Sequence, residues 1–389
     1  MEAKQKIIQV AQPYYDDKEC KAVEEVIKSG WVTQGPKVAE FEQAFAKKHG
    51  VKHGIATSSC TTALHLALLA IGIGPGDAVI VPSFTWVATA NAVEYCGATP
   101  IFCDIDPQTY NIDPISVRKV LKSSMQQGFN VRAIIAVHLF GLCAEMDEIM
   151  ALANEYGLRV VEDAACAAGS SYKGQPAGSI GDIGCFSFHP RKILVTGEGG
   201  MCTTNDDELA AKISCFRNHG ASVSEKQRHY GNAPYLLPEF KVLGYNYRMT
   251  DLQGTLGLIQ LERLERFISE RDYWARYYDQ ELAKLGWLRT PARPEGYTIS
   301  WQAYVCMVGE KKAPLSRNRL MEYLQRNRIS TRPGTHAVHM LGYYQNKYGL
   351  RDDDFPVAKD AYEHSIALPL HNCMQAEDYE YIVSVLRRL

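Results

Sequence analysis

The sequence predicts an α/β protein: a mainly parallel sheet flanked by helices, with a smaller α+β C-terminal domain. Three observations carry that expectation. Runs such as Ala78–Val81 and Ala133–Val137 are continuously apolar, as strands buried on both faces are. Segments of helical periodicity alternate with them. The length, 389 residues, exceeds one simple core and suggests two domains, placed at 1–255 and 256–389.

Taken in order, residues 14–28 have helical spacing with early acidic residues and stop at Ser29-Gly30. A loop with Trp31 and Gly35-Pro36 leads to a second amphipathic helix, Val38–His49. Ile55–Ser58 reads as a short strand that runs into Ser59-Cys60-Thr61-Thr62 and a helix, Ala63–Ala70. Hydroxyl residues at a helix start cap its free N–H groups, and the same groups can hold an anion; both readings stay open here. The strand Ala78–Pro82 is followed by Ser83-Phe84-Thr85-Trp86 and a helix through Tyr95. Thr99–Asp104 and Arg132–Val137 are further strands, the second ending in His138. A helix over Met146–Tyr156 precedes the strand Leu158–Val161, which ends in Glu162-Asp163.

Ile183–Phe188 is a buried-type strand that breaks at Pro190, offers Lys192 and enters Thr196-Gly-Glu-Gly-Gly200 before the apolar patch Met201–Thr204. After the helix Asp206–Arg217, the irregular stretch 221–241 reads as a functional loop, because structureless segments of that length are uncommon otherwise. A long helix, Thr250–Leu285, carries Leu256, Ile259, Leu261, Leu264 and Phe267 on one face and bridges to the second domain. There, Gln302–Val308 is a strand, Arg317–Arg326 a helix, 332–339 a loop with His336 and His339, and Ala376–Leu389 a closing helix. Ligands of open α/β sheets lie outside the carboxyl ends of the strands. Trp86, His138, Asp163 and the Lys192 loop all follow strand ends and can therefore converge.

A net charge of −2 argues against nucleic acid as the main partner. The N-terminus shows no apolar leader, and no apolar run is long enough to span a bilayer, so a cytoplasmic location away from membranes is expected. The eleven cysteines are scattered through apolar segments without a Cys-x-x-Cys pair, which favours reduced thiols over disulfides or zinc. His336 and His339 lack a nearby carboxylate pattern, and no metal is expected.

Lys192 and Asp163 each have a bland reading, a solvated turn lysine and a helix cap. Together they fit something sharper. An enclosed lysine tends to lose its proton, because burial disfavours charge, and a neutral amine attacks carbonyls. Pyridoxal 5′-phosphate needs such a lysine for its aldehyde, a carboxylate at its ring nitrogen, an anion cradle and an aromatic face. Lys192, Asp163, the Ser59–Thr62 helix start with Ser187, and Trp86 supply these four.

The motifs GPKVAEFE (35–42), GIGPGD (72–77), VPSFTW (81–86), VHLFG (137–141), VEDAA (161–165), FSFHPRK (186–192), TGEGGM (196–201) and GYNYRM (244–249) extend the pattern over nearly the whole chain. As a set they resemble the DegT/DnrJ/EryC1/StrS aminotransferases, pyridoxal-phosphate enzymes of fold type I that act mostly on nucleotide-linked keto sugars. The resemblance implies that Lys192 forms the internal aldimine, Asp163 pairs with the ring nitrogen and Trp86 stacks on the ring. It implies that Cys60, Thr61 and Ser187 hold the phosphate and that Asn246 reaches it from a neighbouring subunit, giving a homodimer with shared sites. It implies L-glutamate as amino donor and a nucleotide-linked keto sugar as acceptor, in amino-sugar and lipopolysaccharide-type polysaccharide biosynthesis. Amination at C-3 or C-4 stays open, and the segment 332–339 resembles more the enzymes that aminate C-4 of a 4-keto-6-deoxyhexose, such as perosamine synthases. Trp31, Arg248, His336 and His339 are candidate sugar-nucleotide contacts. The chain departs from the family at Cys60, usually glycine, and at Cys166, usually glutamine or histidine. Lys192, where a minority of relatives have histidine and act as dehydratases, points to transamination. The alternative from another class is a non-catalytic cofactor or sugar sensor on the same fold.

Overall fold

The computed structural model describes residues 7–221, 235, 237, 239–309 and 311–389. Its centre is a seven-stranded sheet of β1 (His53–Thr57), β2 (Asp77–Pro82), β3 (Thr99–Cys103), β4 (Asn130–Val137), β5 (Arg159–Asp163), β6 (Ile183–Ser187) and β7 (Gly200–Thr204). Across the sheet they run β1-β7-β6-β5-β4-β2-β3, and only β7 is antiparallel to its neighbours. The continuous apolar runs have their expected cause. Ile80, Ile134, Ala136 and Val160 enter one core, while Val79, Val81, Ala133, Ile135 and Val161 enter the other, so both faces are covered.

The helices of the first part are α1 (Asp17–Ser29), α2 (Pro36–Lys48), α3 (Cys60–Ala70), α4 (Ala88–Tyr95), α5 (Pro114–Gln126), α6 (Met146–Tyr156), α7 (Asp207–Arg217) and the 32-residue α8 (Asp251–Leu282). Cores from α2, α5 and α6 cover one face, and α3, α4 and α7 the other. α5 is an element the sequence reading did not anticipate. Asp113 caps it, accepting from the N–H groups of Ile115 and Ser116, and Pro114 opens it.

The buried face of α8 differs from the expected one. Gly254, Gly257, Gln260, Leu264 and Phe267 are buried, whereas Leu256 and Ile259 are only partly so. The reason is a close helix crossing: a Cβ on Gly257 would lie 2.6 Å from the Phe41 ring, and one on Gly254 2.8 Å from Val38 N. Glycine is selected where backbones approach, and large apolar residues are displaced from that contact. Asp251 ties the same two helices, accepting from the N–H groups of Gly35, Lys37 and Val38 at the start of α2.

The first half of α8 packs on the large domain. Its second half, through Ala275, Tyr278 and Leu282, joins a core built around β8 (Leu288–Arg289), β9 (Tyr304–Val308) and β10 (Ser365–Leu368). Ile8 joins that same core and bridges to Ile329. No helix among the described residues is long and apolar enough to cross a membrane. All eleven cysteines are free thiols.

Candidate active site

Side chains alternate along a strand, so β5 sends Glu162 to the α2/α6 face and Asp163 to the α3/α4 face. Asp163 is 5% exposed, and Thr89 of α4 donates to its Oδ2 at 2.7 Å. Thr85 lies 3.0 Å from Thr89, hydroxyl to hydroxyl, so the donor is itself held. Ala165 N–H donates to Asp163 Oδ1 at 3.2 Å, and the Cys60 sulfur stands 4.0 Å from the same oxygen. Burial raises the Asp163 pKa, and those donors only partly offset it. A buried carboxylate short of partners is receptive to a cation.

α3 begins beside it. Ser59 caps the helix, taking the Thr62 N–H on its hydroxyl and the Ala63 N–H on its carbonyl. The remaining first-turn donors are the N–H groups of Cys60 and Thr61, which have no intrahelical partner. β7 brings Ser187 to the same place: Gly200 pairs with Ser187 on one side and Thr57 on the other. A Cβ at Gly200 would lie 2.4 Å from Ser59 C and O and 2.7 Å from Cys60 N, so only glycine allows this approach. The start of α3 thus offers free helix N–H groups to an anion, with Ser187 and Thr57 paired to Gly200 beside it.

Lys192 lies in the turn after β6, its N–H bonded to His189 O at 2.8 Å. Its Nζ donates to Cys166 Sγ at 3.1 Å. Here the expectation of a neutral lysine is corrected. Burial does disfavour the ammonium, but Cys166, Cys60 and Asp163 more than offset it, and the pKa is raised above the ordinary lysine value. Burial by itself was the wrong criterion, because it is the signs of the neighbours that decide.

Trp86 is 59% exposed, leaving a ring face open. Its neighbour Thr85 pairs with His336 across a short antiparallel bridge, which sets the His336 ring 5.4 Å from Trp86, edge-on. His336 Nδ1 is buried without a partner among the described residues. His339, expected in the same role, is fully buried. Ser83 binds its Nδ1 and the Asp352 carbonyl accepts from its Nε2, so it is a core histidine and not one presented to a ligand. His138 is also diverted from the cleft, its Nε2 donating to Glu162 and its Nδ1 accepting from Ala144 N–H.

Trp31 and Arg248 bond to other partners within the chain: Trp31 Nε1 donates to Gln34 O and Arg248 to Asn218 Oδ1. Asn246 is exposed, on a segment whose Tyr247 carbonyl accepts from Ser58 N–H just before α3. The expected loop 221–241 falls largely outside the described residues. A cavity of about 590 Å³ beside α8 is lined by none of these site residues, and its Arg276 and Arg293 are already paired with Asp272.

Sequence reasoning missed Thr89. No local signal marks it, since its partner Asp163 lies 74 residues away. The donor set fits pyridoxal phosphate on four counts: a cradle that a Cβ would fill, an under-partnered carboxylate, an open aromatic face and an amine between them.

A family model for the DegT/DnrJ/EryC1/StrS aminotransferases matches residues 13–387. The chain is 40% identical over 376 residues to the spore coat polysaccharide biosynthesis protein SpsC of Bacillus subtilis, covering 96% of this chain and 95% of that protein. It is 40% identical over 384 residues to the GDP-perosamine synthase of Caulobacter vibrioides, covering 97% of each. The PLP form of a putative sugar aminotransferase, Spr1654 of Streptococcus pneumoniae, superposes with a TM-score of 0.88 at 28% identity, covering 98% of each chain. The motifs, the parallel sheet and the lysine–carboxylate–helix cluster therefore have one common explanation: the chain belongs to the DegT/DnrJ/EryC1/StrS family of pyridoxal-phosphate-dependent aminotransferases.

Proposed function

We propose that the enzyme moves the amino group of L-glutamate to the ketone of a nucleotide-linked 4-keto-6-deoxyhexose, in the making of an amino sugar for a surface polysaccharide. The observation that carries it is the convergence of Lys192, Asp163 and the start of α3 in one cleft. The perosamine synthase relative supports the sugar class. When bound, pyridoxal phosphate supplies an aldehyde and an electron-accepting ring through which the amino group passes. Cys60 and Thr61 N–H groups with Ser187 would hold its phosphate, Asp163 would keep its ring nitrogen protonated, and Trp86 would cover the ring. Lys192 Nζ gives and takes the proton at the reacting carbons. His336, edge-on to Trp86 with a buried Nδ1 that has no partner among the described residues, is the candidate contact to the sugar nucleotide. Purified enzyme with glutamate, screened against 4-keto and 3-keto nucleotide sugars, tests this reading. Amination of 3-keto sugars alone would overturn the assignment.

The active unit of this reading is a C2 homodimer in which Asn246 reaches the partner's phosphate site. Its exposure, and the tyrosine-rich segment around it, support an interface role. Mixing Lys192→Ala chains with Asn246→Asp chains should restore about a quarter of wild-type activity, since half the dimers are hybrid and each has one intact site. No recovery despite proven subunit exchange would place Asn246 in its own chain's site.

A further inference from the structure

We propose that Cys166 is the positioning residue for the catalytic lysine, its sulfur holding the Lys192 amine whenever that amine carries no carbon substituent. This rests on the aminotransferase reading above and adds a residue to it. The contact is direct, Nζ to Sγ at 3.1 Å. Both ends are fixed by one strip of chain. Ser300 Oγ donates to the Cys166 carbonyl at 3.0 Å, and Gln302 Nε2 donates to the Arg191 carbonyl at 3.0 Å, next to Lys192. Residues 300–302 thus set the spacing of the cysteine and the lysine together. Between them Trp301 adopts φ +51°, a left-handed conformation costly for a bulky residue and held here by bonds from its indole and carbonyl. Asp163 and Cys166 share a turn, closed by Ala165 N–H on Asp163 and Ala167 N–H on Ala164 O, so the amine is parked one turn from the carboxylate it will work beside.

Sulfur suits the task. It accepts from an ammonium and releases the amine more readily than a carboxylate would. The other titratable groups around Lys192 are Cys60 on α3, Asp163 on β5 and His189 on its own loop. His189 is not an alternative holder, since its Nδ1 accepts from Arg191 N–H. Burial pushes the Cys60 thiol up, and Cys166 is the sulfur within bonding distance of the amine.

The sign of the effect is fixed. Cys166 favours the charged amine and burial opposes it, so removing the sulfur shifts the balance towards the neutral amine, with Asp163 and Cys60 still opposing burial. The test uses holoenzyme in its aminated form, where Lys192 is free. Its amine is trace-labelled with acetic anhydride over a pH series, counted by peptide mass spectrometry against exposed Lys119. Below the ordinary lysine value, Lys192 should label at least about threefold faster in Cys166→Ala than in wild type. Cys166→Ser, which keeps the shape without an ionisable sulfur, should move the same way and gives the reading if the alanine variant does not fold. The acid limb of the kcat profile should shift to lower pH with the sugar KM unchanged. Superimposable labelling profiles in a yellow, folded variant would overturn the proposal. A wild type that never turns yellow would overturn the aminotransferase reading instead.

Discussion

Glu162 and Asp163 are adjacent on one strand and both buried, yet they do opposite things. Glu162 is saturated. His138 donates to it at 2.8 Å, and the N–H groups of Gly178, Ile180 and Gly181 donate at 2.7, 2.8 and 2.6 Å. Those bonds outweigh burial and hold its pKa below the usual carboxylate value. Asp163 has one hydroxyl, one long N–H bond and a distant thiol, and burial raises its pKa. A structural carboxylate has spent its lone pairs inside the fold. On the proposed reading, Asp163 keeps capacity for a cation that arrives later.

The contrast breaks first at the cation side. Lys192→Ala should abolish transamination while leaving the fold and much of the cofactor binding, because the cradle and Asp163 remain. The wild type should be yellow, and borohydride should bleach the colour while fixing the cofactor to Lys192 through a secondary amine. A normal rate in the variant would refute the assignment. Asp163→Asn should then cost at least roughly a hundredfold in turnover, the scale of removing a preorganised electrostatic group. An unchanged rate would reduce Asp163 to a structural residue like its neighbour.

Glu162→Gln should behave the other way. Three backbone donors and His138 lose a charged acceptor, so stability should fall by about 3 kcal/mol, while turnover per folded molecule stays near wild type. Denaturant melts paired with active-site titration separate the two effects. A stable, inactive Glu162→Gln would erase the distinction between the carboxylates.

How much of this was legible depended on whether the cause was local. The strands were, because burial on both faces writes an uninterrupted apolar run into a few residues. The grouping of Lys192, Asp163 and the Ser59–Thr62 start was expected too, because each residue carries distinctive chemistry in its own side chain and follows a strand end. Thr89 was not: its partner Asp163 is 74 residues away, and nothing local marks a helix threonine as a carboxylate donor. His336 and His339 look equivalent in sequence, but a bridge to Thr85 carries one to the Trp86 edge while the next turn buries the other against Ser83. The buried face of α8 misled for a related reason, since a count of large apolar residues is blind to a crossing that demands glycine. The charge of Lys192 was also non-local, favoured by residues on two other segments, the Asp163–Cys166 turn and the start of α3.

The smallest expected effect sharpens the comparison most, because its sign differs between the neighbours. Glu162 has a folded pKa below its ordinary value of 4.5, so the stability it contributes is present above that pH and is lost as pH falls. Asp163 has a folded pKa above 3.8, so its contribution is present below that pH and is lost as pH rises through the folded value. With the cofactor stripped, Asp163→Asn should therefore be more stable than wild type near neutrality, by about 1.4 kcal/mol for every tenfold by which burial has tightened the carboxylate's hold on its proton. In the acid range, where Asp163 is protonated in both states, the two chains should converge. Glu162→Gln should show the reverse, its deficit greatest near neutrality and shrinking as pH falls. Urea melts of the three cofactor-free chains at neutral and acid pH read all four differences. If Asp163→Asn is instead destabilised at neutral pH, the carboxylate is already satisfied within the fold and is not waiting for a cation.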